Sequence, residues 1–383
     1  MAGYASIEPP DRIPTFETSW GILLVRNSTV SWQLPLEATV LEWMRTRSKR
    51  DLVLAIAVTV GSVLVIGTVY GMLFSRIDHR FEHRVEHAVE HRVEHEVRHS
   101  GGTIAAFDAT FDASTARGLD VSLGEVDVSV SATDAGDARV VLWVDDEGDW
   151  SDSALEEMGF RVEVVDGTLR VWNERDDRGW NDHDFEDYDM RLEVTAPRGF
   201  DIQVQTGDGD VAVDAFEGSV ELRTGDGDIA VGGAMGTVRI QTGDGDVALG
   251  GASGGDVRIQ TGDGDVATGR LDVGDLQVRT GDGDILIEEL SGSLTATTGD
   301  GDVQVRLARF DGLRIRTGDG DVTVYAAPGL RANLELVGTE FFLDDAFALP
   351  AQLNTRSLEG LLNGGGPELS VRVGDGTIRL IER

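Results

Sequence analysis

The sequence predicts an all-β protein: a parallel β-solenoid, a right-handed β-helix of 18–19-residue coils, preceded by one transmembrane helix and a helical stalk. Three observations predict it. The pentapeptide Thr-Gly-Asp-Gly-Asp recurs seven times, beginning at Thr206, Thr224, Thr242, Thr261, Thr280, Thr298 and Thr317, always eighteen or nineteen residues apart. Between the pentapeptides, apolar residues such as Val211, Val213, Val220 and Leu222 alternate with polar or small ones. Far upstream, Leu52 to Phe74 runs for twenty-three residues without a charge.

A constant short period means stacked copies of one supersecondary unit, because a single coil cannot bury its apolar side alone. Period-two alternation makes each coil two short strands with one face inward. The Gly-Asp-Gly-Asp between them reads as a tight turn, with Gly supplying backbone angles closed to other residues and Asp bonding local backbone groups. A weaker third corner holds Ala215, Met235, Ala252, Leu271, Leu290 and Phe310. Stacking like strand on like strand makes parallel sheets, with a right-handed coil expected. Seven rungs at about 4.8 Å give a rod roughly 34 Å tall over residues 206–325.

In-register stacking also predicts two outward columns of carboxylates. One runs Asp208, Asp226, Asp244, Asp263, Asp282, Asp300, Asp319, the other Asp210, Asp228, Asp246, Asp265, Asp284, Asp302, Asp321. Unit charges about 4.8 Å apart repel by roughly 0.9 kcal/mol in water and about 3.5 kcal/mol at an effective dielectric near 20. Arg223, Arg239, Arg258, Arg279, Arg314 and Arg316, interleaved with Gln205, Gln241 and Gln260, fall at outward positions beside the turn. Six Arg cannot neutralise fourteen Asp, so bound cations, calcium or monovalent, are the candidate ligands of these columns. The nine-residue calcium repeat of RTX proteins does not fit, since its Asp positions are Val or Ile here.

The segments before the repeats follow in order. Residues 1–43 hold three Trp and a candidate hairpin at Trp20–Val25 and Val30–Leu34. The basic run over 44–51 looks like the start of an export-type anchor, and predicts translation from Met44. Residues 52–74, about 34 Å as a helix, suffice for a hydrocarbon core of about 30 Å. That run exceeds a cleavable signal's apolar region, so it stays as an anchor. Arg45, Arg47, Lys49 and Arg50 place its N-terminal side in the cytoplasm and the β region outside.

Over 75–100, His79, His83, His87, His91, His95 and His99 recur every four residues with Glu82, Glu86, Glu90 and Glu94. This is a solvated helical stalk whose columns drift about 40° per step. Its imidazoles titrate near pH 6.5, and His pairs at i and i+4 share a face as metal ligands do, without a third and fourth ligand in the chain. The transmembrane helix, with Gly67 and Gly71, and the stalk are the places where copies would associate.

Residues 101–205 read as a degenerate β lead-in: strands at Thr103–Phe111, Val121–Ala132 and Arg139–Asp145, a helical pattern at Ser153–Met158, and a hairpin Val162–Trp172 around Asp166-Gly167. Asn173–Asp189 is an acidic loop whose His183 reads as solvated. Residues 326–383 close the rod as capping coils, ending in a degenerate turn at Gly374-Asp375-Gly376-Thr377.

Three features together, Val194-Thr-Ala-Pro-Arg-Gly199, the repeated Gly-Asp-Gly-Asp-Val or -Ile, and Leu362-Asn-Gly-Gly-Gly-Pro367, resemble the "putative adhesin" family of prokaryotic β-solenoid domains over about residues 103–381. The resemblance implies a β-solenoid, a membrane-linked or exported location, and no established biochemical activity. It implies no site residue.

Composition narrows function. The chain carries a formal charge of -36, no Cys and one Lys, and residues 101–383 hold twenty-two Arg against fifty-seven Asp and Glu. Such a field opposes nucleic acid and anionic membrane surfaces. It suits a halophile's surface. Every rung offers the same carboxylate pair, so no acid and base with diverging environments stand out, and aromatics for stacking sugars are scarce. The expectation is a binding or scaffold module with a surface protein or glycan as partner, not an enzyme; a cation-binding or envelope-stress-sensing role is the alternative.

Overall fold

The computed structural model describes residues 102–146, 154–173, 189–327, 329–344, 347, 351–353 and 356–382. The expected N-terminal hairpin, membrane helix, His stalk and acidic loop at 174–188 lie outside the described residues. No helix among the described residues is long and apolar enough to cross a membrane.

The β region is a two-faced stack of mostly parallel strands. β8 (Asp201–Gln205), β10 (Val220–Arg223), β12 (Val238–Gln241) and β14 (Val257–Gln260) lead into the pentapeptide turns and form the entry face. β9 (Val211–Phe216), β11 (Ile229–Ala234) and β13 (Val247–Ser253) leave the turns and form the exit face. The longer β15 (Val266–Arg279), β16 (Ile285–Thr297) and β17 (Val303–Thr317) cross the far corner and serve both faces. Pairing is parallel and in register, Val211 beside Ile229 beside Val247, and Val220 beside Val238 beside Val257.

Val211, Val213, Val220 and Leu222 are buried with their repeat equivalents in one continuous core. At the far corner the register separates inward from outward residues. The inward column is Phe216, Ala234, Ala252, Leu271, Leu290 and Leu307, whereas Ala215 and Met235 point outward, Met235 being 60% exposed. This corner also absorbs the difference between eighteen and nineteen residues, through register shifts near Asp272 and around Leu290 to Gly292.

Both ends of the rod depart from simple coiling. The rung formed by β2 (Gly118–Ser122) and β3 (Asp127–Thr133) sits between β8–β9 and a rung made later in the chain, β6 (Thr168–Asn173) with β7 (Met190–Pro197). The predicted strand Val121–Ala132 is therefore two strands around a turn. β4 (Asp137–Asp146) then pairs antiparallel with β7 and with β1 (Gly102–Asp112), while β5 (Phe160–Val165) pairs antiparallel with β6 through the expected turn, where Asp166 and Gly167 have φ of 51° and 79°.

The C-terminal end repeats the device. β23 (Glu368–Val373) pairs with β17 and β19 (Ala332–Val337), and β24 (Thr377–Glu382) pairs with β18 (Val322–Ala326) and β20 (Glu340–Leu343), so the last rung is slotted inside the stack. β22 (Ser357–Leu362) caps β19 antiparallel, and β21 (Ala351–Leu353) caps β22. The connection from β22 to β23 turns sharply with Asn363, Gly364 and Gly365 at φ of 47°, 86° and 85°, which accounts for the Leu-Asn-Gly-Gly-Gly-Pro motif.

The turn glycines are explained by packing. None of those in the seven pentapeptides has positive φ. A Cβ on Gly264 would collide with the carbonyl of Gly245 one rung below, and the same clash recurs at Gly227, Gly245, Gly283, Gly301 and Gly320. The first glycines bond directly between rungs, Gly243 N–H to the Gly225 carbonyl and onward to Gly318 on Gly299. The buried Thr completes each turn: Thr261 Oγ1 donates to Gly245 O at 2.8 Å, Thr280 to Gly264 O at 2.8 Å and Thr298 to Gly283 O at 2.8 Å.

Gly264→Ala should therefore lower stability by about 1–3 kcal/mol through overpacking. Thr261→Val, which strands a buried carbonyl, should cost about 1–3 kcal/mol, and Thr261→Ser less. Thermal or urea unfolding checks both; a Gly264→Ala protein as stable as the parent would contradict the contact.

Candidate functional site

The turn edge and its flanking face carry the polar chemistry of the rod. The two Asp of each turn have different surroundings. The second Asp of each rung uses Oδ1 to accept the backbone N–H of the second Asp on the next rung. Asp210 takes the N–H of Asp228 at 2.8 Å, Asp228 that of Asp246 at 2.8 Å, and Asp246 that of Asp265 at 2.8 Å. Asp265, Asp284 and Asp302 continue the series to Asp321 at 2.9, 2.7 and 2.7 Å.

The series extends beyond the seven repeats. Asp127 accepts the N–H of Asp210 at 2.8 Å, and Asp321 accepts that of Thr377 at 2.7 Å. Leu123-Gly-Glu-Val-Asp127 is thus an eroded copy of the turn, with Gly124 and Asp127 at the offsets of the first glycine and last Asp; that spacing was the available signal in the lead-in. The other end is the degenerate Gly374-Asp375-Gly376-Thr377, whose Asp375 N–H bonds Gly318 O at 2.9 Å.

These bonds change the electrostatic accounting. A carboxylate that accepts an N–H is stabilised by it, so the second column is a set of rung-to-rung fasteners rather than bare charges. Asp321, the last of the column, also binds Arg379. Burial works against its charge, but hydrogen bonds from Arg379 Nη1 (2.7 Å) and the Thr377 N–H outweigh it and hold the carboxyl below its ordinary value of 3.8.

The first column differs. Asp208, Asp226, Asp244, Asp263, Asp282, Asp300 and Asp319 are all exposed. None has a hydrogen-bond or ion-pair partner among the described residues. Their carboxylates lean along the edge, so that Asp244 Oδ1 stands where a Cβ on Gly262 would be. Among the described residues no three His, Asp or Glu side chains gather as a metal site would require.

Beside the turns, the entry face aligns its outward side chains in two columns. Arg239 lies next to Arg258 in one, and Arg223 next to Gln205 and Gln241 in the other, with Arg279, Arg314 and Arg316 further along. Arg223 pairs with Glu221, and Arg314 with Glu368 at 3.1 Å. At the far corner, Gly233 and Gly251 leave bare a position that Arg270 and Glu289 fill on later rungs, and a groove of about 440 Å³ results. The sequence reading missed this groove, because a glycine pair in a strand reads as a bulge.

The two carboxylate columns should answer mutation oppositely. Asp265→Ala leaves the Asp284 N–H without its acceptor and should cost about 1–3 kcal/mol. Asp263→Asn, which removes one of a row of like charges, should be neutral or stabilising. For Asp321 the folded value is depressed, so its contribution is complete above the ordinary carboxylate range and is lost as pH falls through the lowered value. The melting difference between the parent and Asp321→Asn should therefore shrink on acidification.

Solved structures that resemble the chain loosely include a protein described as a "putative adhesin" from Bacteroides fragilis NCTC 9343, 12% identical, with 74% of this chain and 98% of that chain aligned and a TM-score of 0.38. Others are a "putative adhesin" from Parabacteroides merdae ATCC 43184 (9% identity, 74% and 98% aligned, TM-score 0.42) and a "putative lipid binding protein" from Parabacteroides distasonis ATCC 8503 (10% identity, 73% and 97% aligned, TM-score 0.41). No curated protein sequence matches. The pattern of one family matches residues 116–380, from the approach to β2 through the slotted final rung, and the chain belongs to that family, Toastrack DUF4097.

Proposed function

We propose that the chain is a membrane-anchored, extracytoplasmic binding or scaffold module. The observation that carries this reading is the sameness of the rod's long faces. Parallel in-register rungs repeat one set of outward positions, mostly Arg and Gln on the entry face, with Glu221, Thr295 and Thr297 at the same positions on other rungs, and Asp along the turn edge. A surface that repeats every rung suits an extended or repetitive partner, which it can engage at many weak points at once. Catalysis asks for the reverse, a unique acid and base in diverging environments.

Anchoring rests on the sequence alone: a charge-free run at Leu52–Phe74 behind Arg45, Arg47, Lys49 and Arg50. This places residues beyond Ser100 outside the cell. The second reading, cation binding, draws on the exposed and unpaired first Asp column, and the acid excess of the β region fits a halophile's surface.

Protease added to intact cells should digest the region beyond Ser100, and isolated envelopes should retain the added protein; full protection with no retention would overturn the reading. Melting separates the two roles of the Asp edge. Screening shortens from about 10 Å at 0.1 M salt to about 3 Å at 1 M, so molar potassium chloride should stabilise the rod by relieving the first column. Millimolar calcium stabilising beyond its ionic strength would make that column a cation site.

A further inference from the structure

The geometry points to the entry face as a docking surface for a linear acidic polysaccharide, a carboxylate-bearing glycan chain laid lengthwise along the rod. It rests on the binding-module reading above and names the ligand class.

The chain is strongly acidic, yet this face is lined with Arg. Arg239 and Arg258 lie directly beside each other on neighbouring strands, as do Arg316 and Arg372, of which Arg372 is paired with Glu335 at 2.7 Å. Arg239, Arg279 and Arg316 are exposed, and their guanidinium groups have no hydrogen-bond or ion-pair partner among the described residues. Like charges directly opposite one another on adjacent strands are destabilising. The fold does not impose them, because Gln occupies the same columns at Gln205, Gln241, Gln260 and Gln277. An anion bound along the columns would remove the repulsion.

The chemistry of the stripe selects the anion. Arg presents a planar fork of donors matched to carboxylate, and the interleaved Gln offers both donor and acceptor to hydroxyl groups. An acidic polysaccharide carries both groups at regular intervals. The margins select its width. The stripe is bordered by the first Asp column at the turn edge and by Asp201, Asp256 and Glu368 on its other side, and Glu221, an acid inside it, is paired with Arg223. A single chain fits between them, whereas duplex nucleic acid or an anionic bilayer would overlap the acids and be repelled.

The test titrates full-length protein in mild detergent with polygalacturonate, and with neutral dextran and duplex DNA in parallel. Polygalacturonate should bind, more weakly as sodium chloride rises, and dextran should not. The triple variant R239Q/R279Q/R316Q should melt no lower than the parent, because it relieves like-charge neighbours, and should bind polygalacturonate roughly tenfold or more weakly. D244N/D263N, which thins the acidic margin, should bind it more tightly. The assignment is overturned by equal affinity in the triple variant and the parent, by absent polygalacturonate binding, or by DNA binding as tight. Retention on isolated envelopes without polygalacturonate binding overturns the ligand class alone, and absence of both overturns the binding-module reading as well.

Discussion

Successive turns lie so close that no side chain fits between their glycines, and the rest of the rod follows from that contact. Backbone sits on backbone, Gly243 on Gly225 and Gly262 on Gly243, so the spacing of the rungs at the turn edge is set by main-chain contact. Register then propagates outward along both strands. Variation in coil length is pushed to the far corner, where Gly254, Gly292 and Gly312 take φ of 85°, 143° and 155°. The strict edge and the forgiving corner divide the labour: one sets the pitch, the other accommodates the sequence.

Polar groups drawn into such a tight edge must be satisfied on the spot. The Thr hydroxyl serves the carbonyl of the rung below, and at Gly283, Gly301 and Gly320 it also receives the N–H of its own turn at 3.3 Å. The second Asp serves the N–H of the rung above. Charge is thereby turned into directional bonding, and a column that would be repulsive as bare carboxylates becomes a line of charge-assisted hydrogen bonds. The first Asp column has no such outlet and remains open to solvent and salt.

Much of this was legible in the sequence. A repeat written seven times announces its period, and the alternation at Val211, Val213, Val220 and Leu222 assigns the inward face without ambiguity. The role of the glycines was not legible, because a glycine needed for φ and a glycine needed for clearance look alike until the neighbouring rung is in place. At the far corner Ala215 and Met235 looked as apolar as Phe216 and Ala234, and only register separates inward from outward. The slotted ends were hidden for a different reason. Order in the stack differs from order in the chain at β2–β3 and at β23–β24, and no local pattern records a rung inserted between two others. The distinction between the two Asp columns also needed three dimensions, since both are the same residue in the same pentapeptide.

The slotted ends have a consequence for how such a rod changes length over evolutionary time. β7 is held between β3 and β4, and β19 between β22 and β23, each pair joined by a short arch. A coil duplicated at one of these slotted rungs would have to part an arch. A coil duplicated between β8 and β17 meets only copies of itself and enters at no topological cost. The interior is therefore where the topology admits a new coil most easily. The near-identity of the central pentapeptides, against the eroded Leu123-Gly-Glu-Val-Asp127 and Gly374-Asp375-Gly376-Thr377, is what a lineage lengthened from its middle outward would leave behind.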